Sequence, residues 1–287
     1  MINLAAACRF VQLSGRLLDR RRLALLLKVG PRGDVAAAVA AYANPDGGYA
    51  GLIEPDVRTL SSQPIALLTA FDVLHEIGAP APASALAWLS SISNDDGGIP
   101  FHLPAADGAP QAPWMQPAPD SSLHMTAAVT AAALRLEATG RWVETASDYC
   151  RTTIDAADRL SAYETMYALG FLEASGDTTR LEALGRSLPR DGRLAVEGGI
   201  EAETLRLLDL APRPDGVARR LFDDTAVDAE LNQLESEQRP DGGWDFDWQP
   251  WSPTVATEWR ARLTVDALAT LHTHHRIALP DRVPTPH

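Results

Sequence analysis

The chain has almost no lysine. Lys28 stands alone, and the other basic residues among the 25 are arginine. Against them are 38 acidic residues, so the net charge is −13. An acidic chain without a lysine patch is a poor partner for nucleic acid and gains little from an anionic membrane surface. Cysteine is equally scarce: Cys8 and Cys150 lie far apart and in no motif. That excludes a disulfide framework and a cysteine-based zinc site. Long apolar runs are missing too. The longest uncharged stretch, Ile77–Asn94, holds Gly78, Pro80, Pro82 and four serines, so it is no membrane helix. The N-terminal MINLAAACRF is too short for a signal h-region. A soluble, cytoplasmic protein is expected. Alternating β-branched runs are also lacking, which argues against a sheet protein.

What is present is a globular composition, 46% hydrophobic and 22% charged, and a repeat. The word Asp-Gly recurs in matching surroundings, as NPDGGY at Asn44–Tyr49, NDDGGI at Asn94–Ile99, RDGRL at Arg190–Leu194 and RPDGGW at Arg239–Trp244. The separations between Asp46, Asp96, Asp191 and Asp241 are 50, 95 and 50 residues. A period of about 50 with one degenerate copy, expected near Thr139–Thr145 where Gly140 and Trp142 remain, accounts for all three. Between the turns the pattern is helical. Gln63–Glu76 carries Ile65, Leu67, Leu68, Phe71 and Leu74, Ser121–Ala138 carries Leu123, Ala127, Val129, Ala131 and Leu134, and Thr257–Ile277 carries Leu263, Val265, Leu268 and Leu271. Most of the 21 prolines fall in loops, notably Pro104–Pro119 and Pro250–Pro253. Each unit is therefore helix, Asp-Gly turn, loop, helix. Five to six such pairs fit in 287 residues, which is enough to close a single all-α domain, residues 1–287, as an α/α toroid with inner and outer helices. An open helical array is the rival architecture.

The stretch Gln238 to Trp244 resembles the QW motif of squalene and oxidosqualene cyclases, and the other Gly-Gly turns resemble weaker copies of it. The same turn is similar to one in the β-subunits of protein prenyltransferases. The resemblance implies an α/α toroid in which the turn precedes the loop to an inner helix. The turn's own role is structural, because glycine permits its backbone and aspartate bonds it. Asp46, Asp96 and Asp241 are therefore not read as catalytic.

Chemistry is expected in the loops after the turns, whose last residues should face a central cavity. After the first turn come Glu54, Asp56 and Arg58, then Gln63. Asp56-Val57-Arg58 resembles a prenyltransferase stretch whose arginine lines the substrate cavity, which implies that Arg58 holds a diphosphate or carboxylate. A salt-bridged cluster that only stabilises the loop is the other reading. After the second turn come His102 and a Pro-rich loop with Trp114, long enough for a lid, then His124. After the fourth come Asp245, Phe246, Asp247 and Trp248, then Trp251, Glu258, Trp259 and Arg260. Two carboxylates one residue apart among aromatics suit an acid with a raised pKa. The stretch is similar to the first three positions of the DxDD motif with which class II terpene cyclases protonate an alkene or epoxide. Trp248 stands in the last position, and aromatic faces stabilise cations. The alternative is that Trp248, Trp251 and Trp259 only seal the ring.

Other signatures are missing. No cysteine follows Cys150, so the zinc of prenyltransferases is not expected, and no DDxxD motif exists for magnesium. No cofactor is expected; magnesium enters only with a diphosphate substrate. Phosphate-binding glycine loops and a nucleophile elbow are absent. The reading is an isoprenoid-processing enzyme resembling a terpene cyclase. Asp245, Asp247, Glu54, Asp56 and Glu258 are its candidate acids, and Arg58 and Arg260 hold an anionic head. Gln63, His102, Trp114, His124, Trp248, Trp251 and Trp259 are candidate substrate contacts. A glycoside-processing α/α barrel using paired carboxylates, or a toroid that binds a peptide or protein partner, are the alternatives.

Overall fold

The computed structural model describes residues 2–105, 107–199 and 203–279. It comprises two compact units, one of residues 39–188 and one of residues 1–38 and 189–287. Among the described residues no helix is long and apolar enough to cross a membrane.

In the 39–188 unit, α4 (Pro64–Glu76), α6 (Leu123–Arg135) and α8 (Ala162–Ala174) pack side by side, with α6 in the middle. The sequence of α6 explains its place. Every residue from Met125 to Ala133 is buried, and five of them are alanines that let both neighbours approach closely. Outside this row, α7 (Arg141–Ala156) packs on α6, α9 (Thr178–Gly185) on α8, and α5 (Ala83–Ile92) on α7. These bury only a stripe, such as Trp142, Val143, Ala146, Ser147 and Cys150 of α7. The preceding helix, α3 (Arg32–Ala40), leads into this unit.

The other unit is built on α12 (Pro253–Thr273), which packs against α1 (Leu4–Ser14), α2 (Leu17–Leu26) and α11 (Asp224–Ser236). Arg22, almost fully buried, fastens α2 to Asp266 of α12 at 2.7 Å.

The Asp-Gly turns are built alike. Asp46 accepts the Gly48 N–H at 2.9 Å and the Ser62 hydroxyl at 2.8 Å; Asp96 accepts the Gly98 N–H at 2.9 Å and the Ser121 hydroxyl at 2.7 Å. Asp241 accepts the Gly243 N–H at 3.0 Å, with Arg260 taking the serine's place at 2.9 Å. The first glycine has positive φ in each, 94° at Gly47, 89° at Gly97 and 97° at Gly242. It lies so close to the N-terminal part of a neighbouring helix that a Cβ would clash there: Gly47 with Ser84 of α5, Gly97 with Thr145 of α7 and Gly242 with Ala6 of α1. So α1 occupies against the last turn the place that α5 and α7 occupy against the first two. Gln238 seals that joint. Its amide accepts the Asn3 N–H at 2.7 Å and donates to the Asn3 carbonyl at 3.1 Å, at the cap of α1.

Two details depart from the expected repeat. The degenerate copy does not lie at 139–145, which holds the link from α6 and the first turn of α7. The missing turn lies at 157–161, where α7 ends and Ser161 caps α8 through a reciprocal bond with Glu164. The 95-residue gap is thus divided unevenly, because α7 runs on for 16 residues. The third turn is followed not by a long helix but by a hairpin, β1 (Leu194–Ala195) with β2 (Thr204–Leu205), and a one-turn helix, α10 (Leu207–Leu210).

Candidate functional site

In the unit of α12, the short hairpin and α10 bring together carboxyls that are remote in sequence. Asp209 is the third residue of α10, and one of its oxygens accepts the Arg206 N–H at 2.7 Å. The residue lies at the surface, and the protein crowded around its carboxyl pushes it up to about 6. Arg206 opposes that shift, while Glu230 and Asp247 reinforce it. Asp247 is exposed, and it accepts the Thr204 N–H at 3.2 Å, which ties the loop after the fourth turn to β2. Buried Glu230 is bonded by Arg206, which also holds Glu237 at 2.8 Å, and Arg193 stands 3.5 Å from Glu230.

The residues flanking Asp247 form an aromatic face. Phe246 stacks on Trp248 at 4.5 Å, and Trp248 meets Trp259 of α12 edge-on at 5.2 Å. The Arg262 guanidinium lies 5.1 Å from the Trp259 ring centre. Trp251 and Glu258 are half-buried beside this segment, and the Trp251 indole N–H has no hydrogen-bond partner. Asp245 faces away, 3.6 Å from Arg239 and 3.8 Å from Arg260. Arg260 holds Asp241 at 2.9 Å and stacks on Phe10 at 4.6 Å.

In the other unit, His124 stands in the first turn of α6 within an aromatic cluster. It stacks on Tyr163 at 5.3 Å and Tyr167 at 4.8 Å, both from α8, and meets Phe101 at 5.0 Å. Burial pushes His124 down to about 4, against the pull of Glu164, so the ring is neutral at pH 7. The remaining candidates of this unit belong to two interlocked loops. Gln63, fully buried, donates to the Leu103 carbonyl at 3.1 Å and accepts the Leu103 N–H at 3.0 Å. His102 is fully buried, with Nε2 2.9 Å from Gln111 and Nδ1 unpartnered, and burial lowers its pKa. Glu54 is buried and accepts the Thr69 hydroxyl at 2.9 Å. Asp56 is buried and its carbonyl accepts the Ala112 N–H at 2.8 Å, while Arg58 donates its N–H to the Pro110 carbonyl at 3.1 Å. Asp107 accepts the Thr59 hydroxyl at 2.7 Å and the Leu60 N–H at 2.9 Å. The Pro-rich loop expected as a lid is therefore pinned to the loop after the first turn as far as Ala112. Trp114, 43% exposed, projects from it.

No family model matches the sequence, and no curated protein does. Among solved structures it is similar to the type II terpene cyclase MstE from Scytonema, a variant of which is bound to its substrate, geranylgeranyl dihydroxybenzoate. The likeness covers 94% of this chain and 95% of that one, with a TM-score of 0.55 at 13% identity. The fold is that of a type II terpene cyclase. The expected all-α class of the α/α-toroid type is thus the class of this chain.

The structure gathers Asp247, Trp248 and Trp259 in one unit and sets His124 among aromatics in the other. It adds Asp209, which sequence reasoning missed. A carboxyl in a one-turn helix after a hairpin carries no motif; its only sequence signal is its spacing from Arg206, three residues on, as in a helix-start bond.

Proposed function

We propose that the protein is an isoprenoid-processing enzyme that starts its reaction by protonating an alkene or epoxide, with Asp209 as the acid. One arrangement carries this reading: Asp209, its carboxyl raised to about 6 by the protein crowded around it with a contribution from Asp247, shares a unit with the aromatic segment Phe246–Trp248. The terpene-cyclase fold, and the isoprenoid substrate named for MstE, support it.

The chemistry follows from the residues. The Arg206 N–H occupies one oxygen of Asp209, which leaves the other to carry the proton outward. Transfer breaks that O–H bond and forms a C–H bond to an alkene carbon, or an O–H bond as an epoxide C–O bond breaks, and leaves a carbocation; a further double bond of the substrate attacks it to close a ring, and loss of a proton to water or addition of water discharges the last cation. The Asp209 carboxylate so formed is stabilised by Arg206, while Asp247 and Glu230 add to the carboxyl's hold on its proton before the reaction. The faces of Phe246, Trp248 and Trp259 stabilise positive charge on the hydrocarbon without supplying a nucleophile. No step requires a cofactor.

The test is a mass-spectrometric assay with farnesyl and geranylgeranyl compounds and squalene, with and without magnesium. A cyclised product is expected. Asp209→Asn should abolish it, and kcat/KM should fall as pH rises through about 6, because the donor must be protonated. Product formation that survives Asp209→Asn removes Asp209 from the reaction.

A further inference from the structure

We propose that the corner between α1 and α2 docks the protein on an anionic lipid surface. This property belongs to the N-terminal helices alone and does not depend on the chemistry at Asp209.

The charge of the chain is segregated along its sequence. Residues 1–38 carry seven arginine and lysine residues against two acids, Asp19 and Asp34, a net charge of +5. The remaining residues carry 18 basic against 36 acidic groups, a net charge of −18. The whole-chain value of −13 conceals the basic segment, so this corner departs from the membrane reading that value gives. Both acids of the segment are engaged, Asp19 by Arg16 at 3.5 Å and Asp34 by Arg21 at 2.9 Å. Asp266, which α12 directs toward α2, is taken up by Arg22 at 2.7 Å. Arg9, Arg20 and Arg32 are exposed and have no carboxylate partner among the described residues.

The same segment exposes leucines. Leu13, near the end of α1, is 77% exposed, and Leu17, at the start of α2, is 59% exposed. Both helices pack on α12 with Phe10 and Val11 of α1 and Leu18 and Leu23 of α2 buried, so their solvent sides turn away from α12. On α1 that side carries Arg9 and Leu13, one helical turn apart. On α2 it carries Leu17, with Arg20 and Arg21 three and four residues on, one to either side. Gly15 stands at the corner, two residues from each leucine. Arg20 donates from Nε to the Gly15 carbonyl at 2.8 Å, which holds its guanidinium at that corner.

Leucines framed by arginines are the pattern of helices that lie in a membrane interface. The leucines enter the acyl boundary, and the guanidiniums meet headgroup phosphates with paired N–H groups. Side chains this exposed stand above the surface around them. A protein partner would need a pocket shaped to each, whereas a lipid surface yields to any projection, so the geometry favours lipid over an acidic protein.

The test is sedimentation of the full chain with vesicles. Phosphatidylcholine vesicles are compared with vesicles in which about a third of the lipid is phosphatidylglycerol. The protein is expected to bind the anionic vesicles about tenfold or more tightly than the neutral ones, and high salt to release it. The double variant Leu13→Ser, Leu17→Ser and the double variant Arg9→Gln, Arg20→Gln should each weaken that binding about tenfold. Their melting points should match the intact protein's, because all four side chains are exposed. Arg141→Gln with Arg186→Gln, which removes two exposed arginines elsewhere, should leave binding unchanged. Absence of binding to anionic vesicles overturns the proposal, as does equal binding to neutral ones or binding that survives both corner variants. Self-association of the chain that the leucine variant abolishes would assign the corner to a second copy and overturn it as well.

Discussion

At the residue scale, a second repeat is hidden in the chain. Five helices, α2, α4, α6, α8 and α12, end on a residue in the left-handed region: Lys28 at φ 58°, Gly78 at 67°, Glu137 at 57°, Gly176 at 72° and His275 at 58°. In each, the next N–H reaches back to a carbonyl five residues earlier, as from Ala138 to Ala133 and from Arg276 to Leu271. This is a C-terminal cap that glycine adopts at least cost. Lys28, Glu137 and His275 occupy it against preference, which costs about 1 kcal/mol each. Glu137 is exposed, so Glu137→Gly removes that cost and little else. The variant is expected to be more stable by about 1 kcal/mol, with a melting point ~2–4 °C higher. Gly78→Ala should move it the other way by a similar amount. A calorimetric scan of both decides the point, and an unchanged Glu137→Gly variant refutes the strain.

At the scale of elements, the Gly-Gly turn joins a loop to the helix packed beside it, and its second glycine faces a ring of that helix. A Cβ on Gly48 would stand 2.8 Å from the Trp88 ring, on Gly98 2.9 Å from Tyr149, and on Gly243 2.7 Å from Phe10. The first two rings belong to α5 and α7, the third to α1. Gly243→Ala must therefore push α1 from the last turn, the joint that unites the two ends of the sequence. A loss of ~1–3 kcal/mol is expected from the forced shift. Phe10→Ala should relieve much of the clash in the double variant, so the two losses should not add. Urea titration of the single and double variants measures this, and strict additivity would show that the two residues do not meet.

The same turns were the legible part of the sequence. Asp46, Asp96 and Asp241 read as structural because their neighbours supplied the residues a tight turn needs, and their hydrogen bonds are those of a turn. Spacing misled where the chain broke its own period: α7 extends through the place of a turn, and a hairpin stands where a long helix was expected. The site was half legible. Asp247 and the tryptophans announced themselves as an unusual cluster. Asp209 did not, because its shifted proton affinity comes chiefly from the protein crowded around it and then from groups at 230 and 247, none of which a local pattern encodes.

At the scale of the whole molecule, two groups titrate in opposite senses over one pH range. His124 is held at about 4 against 6.5 for a free histidine. The unfolded chain therefore binds its proton more readily, and the stability that neutral His124 represents is full above pH 6.5 and lost as pH falls toward 4. The span corresponds to about 3 kcal/mol as an upper bound. His102, also lowered by burial, acts in the same sense below pH 6.5. Asp209 does the reverse. Its folded value of about 6 exceeds the ordinary 3.8, so its favourable contribution is present below pH 3.8 and lost as pH rises to about 6. Asp155, Asp177 and Asp241 are held below the ordinary value by Arg180 or Arg260, so their effects lie below pH 3.8.

Between pH 4 and 6 the intact protein should thus show a flatter melting curve against pH than either group alone dictates. Asp209→Asn removes the falling component. Its melting point should climb with pH up to about 6.5 and exceed that of the intact protein above pH 6, where the intact protein bears the burial cost of the carboxylate. His124→Phe removes the rising component, and its melting point should decline from pH 4 to 6. Parallel pH profiles for all three proteins would show that neither group is shifted by folding. Stability gained by Asp209→Asn together with activity lost is the combination that separates a catalytic acid from a structural one, because a structural carboxyl would destabilise the fold when replaced. An Asp209→Asn protein that is both less stable above pH 6 and inactive would assign Asp209 to the scaffold of α10 instead.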